Sequence, residues 1–483
     1  MKIIQNWINN ALISAADGSS IDKYNPHTGE VDVKVSASKE RDVAVAVEAA
    51  EKAFRIWSEH TAVNRGQQLM SLVDQIKQSK QELADCVAIE TGKPPKDAMG
   101  EVNAAIMQGE YFAGEGMRMH GRTLTSGIYG KQSFLIRQAI GVAGLIVPAN
   151  TPIANIAWKV FPALICGNTV VLKASEDAPK TAIFFAELSK KAGIADGVIN
   201  VIQGTGLDAG AAIVNHPKIK VISFTGSTEV GRWIATAAGK RLARVSLELG
   251  GKNPFVVCDN ANIEQAVHWA SLSAFSNAGQ RCAAGSRIIV FEKVYENFVS
   301  KLVTKAKQLQ LGVNITADLG PVISKRQQEN IASSVDAAVA KGARILCGGF
   351  IPEDESLRGF YYTPTLIDNV QPDDDISCSE LFGPVATLHK VKNLQEAIDL
   401  ANNTHYGLTA AIHTTNIDHA MHFARNVRTG VVNINIGTFG SEPHMPFGGF
   451  GNSGNGTREP GMEALDVYSE LKNISYLVRE SFI

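Results

Sequence analysis

Residues 168–193 read NTVVLKASEDAPKTAIFFAELSKKAG: a short apolar strand, NTVVLKA (168–174), followed by a helical stretch, APKTAIFFAELSKKAG (178–193). The same alternation runs from 139 to 258. Further strands are expected at GVAGLIV (141–147), GVINVIQ (197–203), IKVISFTG (219–226) and RVSLELG (244–250). Strands that alternate with helices at this spacing imply a parallel sheet covered by helices. Such sheets bind ligands beyond the carboxyl ends of their strands. The residues just after those ends are Asn150, Glu176, Gly204, Ser227 and Glu248.

Outward from this segment, residues 39–59 place Val43, Val47, Ala50, Phe54 and Trp57 at helical spacing, which predicts an amphipathic helix. A second helix is expected over 62–91, and 109–138 reads as a Gly-rich, turn-rich excursion into one or two strands. A second α/β pattern follows. Helices at 261–278, 293–310, 324–342 and 394–402 alternate with the strands SRIIVF, TLIDNV, ATLHKV and TAAIHT. The tail ALDVYSELKNISYLV (464–478) has strand character near its end. The fold class is therefore α/β. One Rossmann-like parallel-sheet domain is expected over 1–116 and 139–250, a second α/β domain over 251–447, and separate strands at 117–138 and 464–483.

A chain of 483 residues is long enough for two or three domains. It is 45% hydrophobic and 19% charged with a formal net charge of -2, so it lacks the basic footprint of a nucleic-acid or anionic-membrane binder. Its six cysteines include no CxxC pair, which argues against a disulfide framework or zinc site and fits a reducing cytoplasm. The N-terminal MKIIQNWINNALIS does not read as a signal peptide. The longest apolar run, AIGVAGLIVPA (139–149), is about half a membrane span. The eleven histidines form no HxxxH or HExxH, and no metal site is expected.

NAGQRCAAGSR (277–287) sets Cys282 after an amide and a cation and before small residues, a context for an accessible thiol as well as for a packed one. VIQGTGLDAG carries Gly204, Gly206 and Gly210 after a strand, in a phosphate loop or an ordinary turn. In ISFTGSTEVGR a helix start with free N–H groups and a hydroxyl suits a diphosphate, while Ser227 or Thr228 also suits a plain N-cap. VVLKASE places Lys173 at a strand end and Glu176 three residues on. That carboxylate fits a ribose, with NAD favoured over NADP, or else a simple charge pair. In SLELGGKNP the apolar company of Glu248 raises its pKa toward that of a general base, unless it is salt-bridged. VPANTP holds Asn150 between two prolines, as an oxyanion donor or a turn residue.

In order and spacing, VPANTP, GNTVVLKASE, GTGLDAG, FTGSTEVG, LELGGKNP, FSNAGQRC, SELFGPV and MPFGGFGNSGNG resemble the aldehyde dehydrogenase superfamily over nearly the whole chain. The resemblance makes the first domain NAD-binding and the second catalytic. It assigns Cys282 as the nucleophile that forms a thiohemiacetal and then a thioester. Asn150 and the Cys282 N–H would hold the oxyanion, and Glu248 would activate the water that hydrolyses the thioester. The thiolate this needs calls for an electropositive or dipolar setting, to which Arg281 and nearby amides would contribute. Lys173 and Glu176 would hold the adenosine ribose, Ser227 the diphosphate, and Glu380 and Phe382 the nicotinamide side. Ile146, Gly206 and Gly210 complete the cofactor set.

By the same pattern Thr151, Ala154, Asn155, Trp158, Arg281, Ser441, His444 and Phe447 line the substrate tunnel. Their mixed polar and aromatic character points to a small polar aldehyde or a semialdehyde. The alternatives are a coenzyme A-acylating semialdehyde dehydrogenase, which would have no use for Glu248, and a non-catalytic NAD-binding structural protein. The resemblance also implies a homodimer or homotetramer built through strands at 117–138 and 464–483. Two residues depart from the family pattern: Ala149 stands where Trp is common, and Gly451 where Lys is frequent. Cys86, Cys166, Cys258, Cys347 and Cys378 read as structural.

Overall fold

A computed structural model describes residues 2–478. Its first seven-stranded sheet runs, edge to edge, Arg244–Glu248, Ile219–Thr225, Val142–Ile146, Thr169–Lys173, Ile199–Ile202, Asn6–Ile8 and Ala11–Ile13. The first five strands are mutually parallel and the N-terminal hairpin joins antiparallel. The three central parallel strands, Val142–Ile146, Thr169–Lys173 and Ile199–Ile202, are buried throughout and rich in Val, Ile and Leu, with helices on both faces, as a two-sided sheet requires. Strand order reverses between Val142–Ile146 and Ile219–Thr225. The crevice that such sheets use for ligands therefore opens between Ile146 and Ser227.

A second seven-stranded sheet runs Arg344–Cys347, Thr365–Asp368, Val385–Val391, Arg287–Phe291, Pro254–Val257, Thr409–His413 and Val431–Ile434. Only Arg344–Cys347 is antiparallel to its neighbour. A third sheet joins Ser469–Leu477 to Lys131–Ala139 in nine antiparallel pairs, with Arg122–Leu124 on the far side. Two segments distant in sequence thus form one small sheet. Residues 479–483 of the expected 464–483 tail lie outside the described residues. Among the described residues, no helix is long and apolar enough to cross a membrane.

The structure corrects several expectations. Residues 109–118 belong to a 24-residue helix, Pro95–Arg118, so the strand excursion begins only at Arg122. The glycines that read as turn formers there are packing residues. A Cβ on Gly116 would lie 2.5 Å from the carbonyl oxygen of Ala62, and one on Gly109 would meet Val73 and Phe161 at 2.5 and 2.7 Å. They let this helix lie close against Ala62–Gln78. The helix expected over 62–91 is two, Ala62–Gln78 and Lys80–Thr91, broken at Ser79. The strands at the N-terminus, including Ile3–Ile4, Ser20–Tyr24 and Val31–Ser36, escaped the sequence reading. Residues 464–468 are a short buried helix whose Tyr468 is fully covered, so only the later part of the tail is strand.

The Gly451 departure has a steric reason. Gly451 has φ +57, and a Cβ there would lie 2.7 Å from the His405 carbonyl oxygen, so any side chain is strained.

Candidate active site

The helix Ile263–Phe275 stops short of the expected 278. Asn277 and Ala278 then take left-handed φ of 54°, turning the chain sharply into the loop that carries Cys282. Asn253, just beyond the Gly-Gly turn after Glu248, fixes that loop. Its Nδ2 donates to the Cys282 and Ala284 carbonyls, each at 2.8 Å, and its Oδ1 accepts from the Thr409 N–H at 3.0 Å.

The Cys282 thiol is pushed up to about 12 by burial and by the carboxylates of Glu380 and Glu248. The Ala283 N–H and the Arg281 charge oppose this without overcoming it. Three predicted residues, Cys282, Glu248 and Glu380, are therefore close enough to influence one another electrostatically. At the thiol, burial and the nearby acidic residues outweigh the Arg281 charge and the Ala283 N–H, so the protein's own groups do not supply the electropositive setting expected there.

Glu248 closes the strand Arg244–Glu248 and is 3% exposed. Among the described residues, neither of its carboxyl oxygens has a hydrogen-bond partner. Burial, and then the nearby Glu459, hold its pKa well above the usual carboxylate range, against the pull of Lys159 and Arg458. A structural, salt-bridged role is thus excluded, since no ion pair engages this side chain among the described residues. A buried carboxyl with free oxygens and a raised pKa has the character of a general base once it is ionised.

Asn150 sits in the loop between Val142–Ile146 and the helix Pro152–Ile165. Its Nδ2 donates to the Gln280 carbonyl at 2.8 Å. Its own carbonyl accepts from Lys93 Nζ at 2.7 Å and Asn277 Nδ2 at 3.1 Å. An amide nitrogen carries two hydrogens, so one remains for a further acceptor.

At the strand ends of the first sheet, buried Lys173 donates to Glu176 at 2.6 Å. Burial pulls the Glu176 pKa up, but the Lys173 charge and hydrogen bond and the Gly206 N–H together hold it below its usual value. Gly206–Gly210 forms a single wide helical turn, and a Cβ on Gly206 would touch nothing within 4 Å. Ile146 ends its strand at 8% exposure. Ser227 is an N-cap, its Oγ accepting from the Val230 N–H at 3.4 Å. That bond uses a lone pair and leaves the hydroxyl hydrogen free. Glu380 Oε1 accepts from the Gly251 N–H at 3.1 Å, and burial, opposed by that N–H and by Lys252, pushes its pKa up to about 7. Phe382 is half-buried with φ 54°, and its carbonyl accepts from Gln327 Nε2 at 3.2 Å.

Of the expected tunnel residues, Trp158 and Phe447 pack edge to face at 5.3 Å. The Arg281 guanidinium lies over Phe439 at 5.0 Å, and its buried Nε has no hydrogen-bond partner among the described residues. Thr151 Oγ1 accepts from Asn155 Nδ2 at 2.7 Å. Ala154 is partly buried beside them, in the helix Pro152–Ile165. Ser441 and His444 are both exposed, and His444 Nδ1 lies 4.0 Å from Glu442 Oε2. Sequence reasoning missed Lys93, Glu101, Lys159, Asn253 and Glu459. Lys159, Glu459, Ser223 and Tyr468 form one buried hydrogen-bonded network beside Glu248. Asn253 lay in a quoted motif, where its fixed distance from the Gly-Gly turn was the available signal.

The aldehyde dehydrogenase family model matches residues 13–474. Retinaldehyde dehydrogenase 3 of Mus musculus is 41% identical over 488 residues, covering 99% of this chain and 94% of that protein. An aldehyde dehydrogenase of Alternaria alternata is 40% identical, covering 97% and 94%. The crystal structure of betaine aldehyde dehydrogenase from Staphylococcus aureus in complex with NAD+ superposes with a TM-score of 0.96 at 34% identity, covering 99% of this chain and 97% of that one. The α/β fold with its two large, mostly parallel sheets is that of an aldehyde dehydrogenase. This chain belongs to the aldehyde dehydrogenase family.

Proposed function

We propose that the protein oxidises an aldehyde and water to a carboxylic acid while reducing NAD to NADH, through a covalent intermediate on Cys282. The observation that carries this is a partly buried Cys282 thiol under the electrostatic influence of Glu248, a buried carboxyl whose two oxygens have no hydrogen-bond partner among the described residues. The Cys282 thiol gives its proton to solvent water, and the thiolate bonds to the aldehyde carbon as the carbonyl π pair moves onto oxygen. The resulting oxyanion accepts from the spare Asn150 hydrogen and the Cys282 N–H. Loss of hydride leaves a thioester. Glu248, once ionised, takes a proton from water, which attacks the thioester and releases the acid and the thiol.

The cofactor residues fit a dinucleotide. A carboxylate at a strand end, a turn whose glycines leave open space, and a helix N-terminus with a free hydroxyl hydrogen flank the crevice at the switch point. Lys173 and Glu176 hold one ribose, Gly206, Gly210 and Ser227 the diphosphate, Ile146 an apolar edge, and Glu380 and Phe382 the other ribose and ring. Bound NAD supplies a hydride acceptor and a positive charge.

The unpartnered Arg281 Nε beside the nucleophile supports a small polar aldehyde or semialdehyde, with Thr151, Trp158 and Phe447 as walls and Ser441 at the rim. The exposed strand edge of Ser469–Leu477 supports closed homo-oligomers, a dimer or a dimer of dimers. A cytoplasmic enzyme is consistent with six free thiols.

One mixing experiment tests the reading: protein, NAD and a panel of propanal, benzaldehyde and a dicarboxylic semialdehyde, with and without coenzyme A. NADH without coenzyme A is expected. NADH only with coenzyme A would indicate acyl transfer to a thiol, and none with any aldehyde would leave a structural NAD-binding protein.

A further inference from the structure

Lys93 and Glu101 form an ion pair at 2.5 Å with only 4% of each side chain exposed. A pair so deeply buried does little for net stability compared with an apolar pair of the same shape, so its geometry calls for another explanation. Both partners are fully committed around the Asn150 loop. Glu101 Oε1 accepts from the Ile153 and Ala154 N–H groups at 2.9 and 3.3 Å, the free donors of the first turn of Pro152–Ile165. Glu101 Oε2 holds Lys93, and Lys93 Nζ donates on to the Asn150 carbonyl at 2.7 Å. Pro148 and Pro152 contribute no N–H to this loop, which leaves it fewer backbone donors of its own. Asn277 Nδ2 completes the clamp, donating to the Asn150 and Gln280 carbonyls at 3.1 and 3.2 Å.

We propose that Lys93 and Glu101 are positioning residues for the oxyanion site: they pin the Asn150 main chain to the start of the following helix, so that the spare amide hydrogen is held still for the thiohemiacetal oxygen. This rests on the oxyanion role proposed for Asn150. A rigid support matters because displacing a catalytic group by about 1 Å costs about 100-fold in rate.

The test is the rate of the first NADH turnover with the best aldehyde of the panel, together with NAD affinity and thermal unfolding. The double variant Lys93→Met, Glu101→Met replaces both charges at once and leaves neither unpaired. The expected result is a burst slowed about 10- to 100-fold, with NAD affinity unchanged. Adding Asn150→Ala should then slow it no further than Asn150→Ala alone, because the pair acts only through that residue. A burst near the wild-type rate, or losses that multiply in the triple variant, would overturn the proposal. If the double variant does not fold, Glu101→Gln is read instead: it keeps an acceptor for Ile153 and Ala154 and weakens the hold on Lys93. A slower burst is expected, short of the Asn150→Ala loss, and an unchanged one overturns the proposal. An unslowed burst in Asn150→Ala itself would show that the oxyanion assignment had failed, and the positioning role with it.

Discussion

The ammonium of Lys173 lies 2.6 Å from the carboxylate of Glu176, and the lysine is buried while the glutamate reaches solvent. The Lys173 charge and the Gly206 N–H favour the ionised form of Glu176 against the effect of burial. An ionised carboxylate accepts from ribose hydroxyls and repels a 2′-phosphate. Catalytic efficiency with NAD should exceed that with NADP by at least about tenfold, or about 1.4 kcal/mol. Glu176→Ala should narrow the gap. Initial-rate kinetics with both cofactors decide this, and equal efficiencies would remove the assignment.

The thiol of Cys282 is held up to about 12 by burial and two carboxylates. In the protein without cofactor, alkylation by iodoacetamide should be slow at pH 7. It should climb about tenfold per pH unit up to pH 10, because the thiolate is the reactive form. Mass spectrometry of the peptide containing Cys282 follows the rate. A plateau below pH 8 would mean that the thiol is already ionised.

Glu248→Gln separates the two half-reactions. One NADH per site should form in a burst, and the steady rate should then collapse, because the amide cannot accept a proton from water. Stability should move the other way. With its folded pKa raised, Glu248 favours folding below the unfolded carboxyl value of about 4.3, and that contribution is lost as pH rises through the folded value. The variant should therefore melt higher than the wild type at pH 8 and gain less at pH 4. Loss of the burst together with turnover would place Glu248 earlier in the reaction.

Light scattering should give a particle at least twice the 51.7 kDa chain mass. The tail must be cut after Tyr468, not before Ala464, because 464–468 packs into the chain's own core. Removal of 469–483 should yield monomers or insoluble protein. A soluble, active oligomer after that cut would show that the tail is not the interface.

The sequence was most legible where period and motif agreed. The parallel strands around 168–174 were clear because two-sided burial demands uninterrupted Val, Ile and Leu. The residues proposed as nucleophile, base and cofactor ligands were singled out because they lie in fixed motifs, most of them at strand ends. The helix Pro95–Arg118 was missed because its glycines serve packing against a neighbouring helix, a tertiary constraint invisible to a local reading. Lys93, Glu101 and Glu459 were missed for a related reason: each is a charged residue that is buried only because distant segments converge on it.

The central claim is that Cys282 carries the substrate as an acyl group. Its most direct test is stopped-flow absorbance of NADH in wild type and Cys282→Ala with NAD and the best aldehyde of the panel. The account predicts NADH from the wild type and none above background from the variant, with NAD affinity retained. Turnover by Cys282→Ala at more than a trace of the wild-type rate would contradict it.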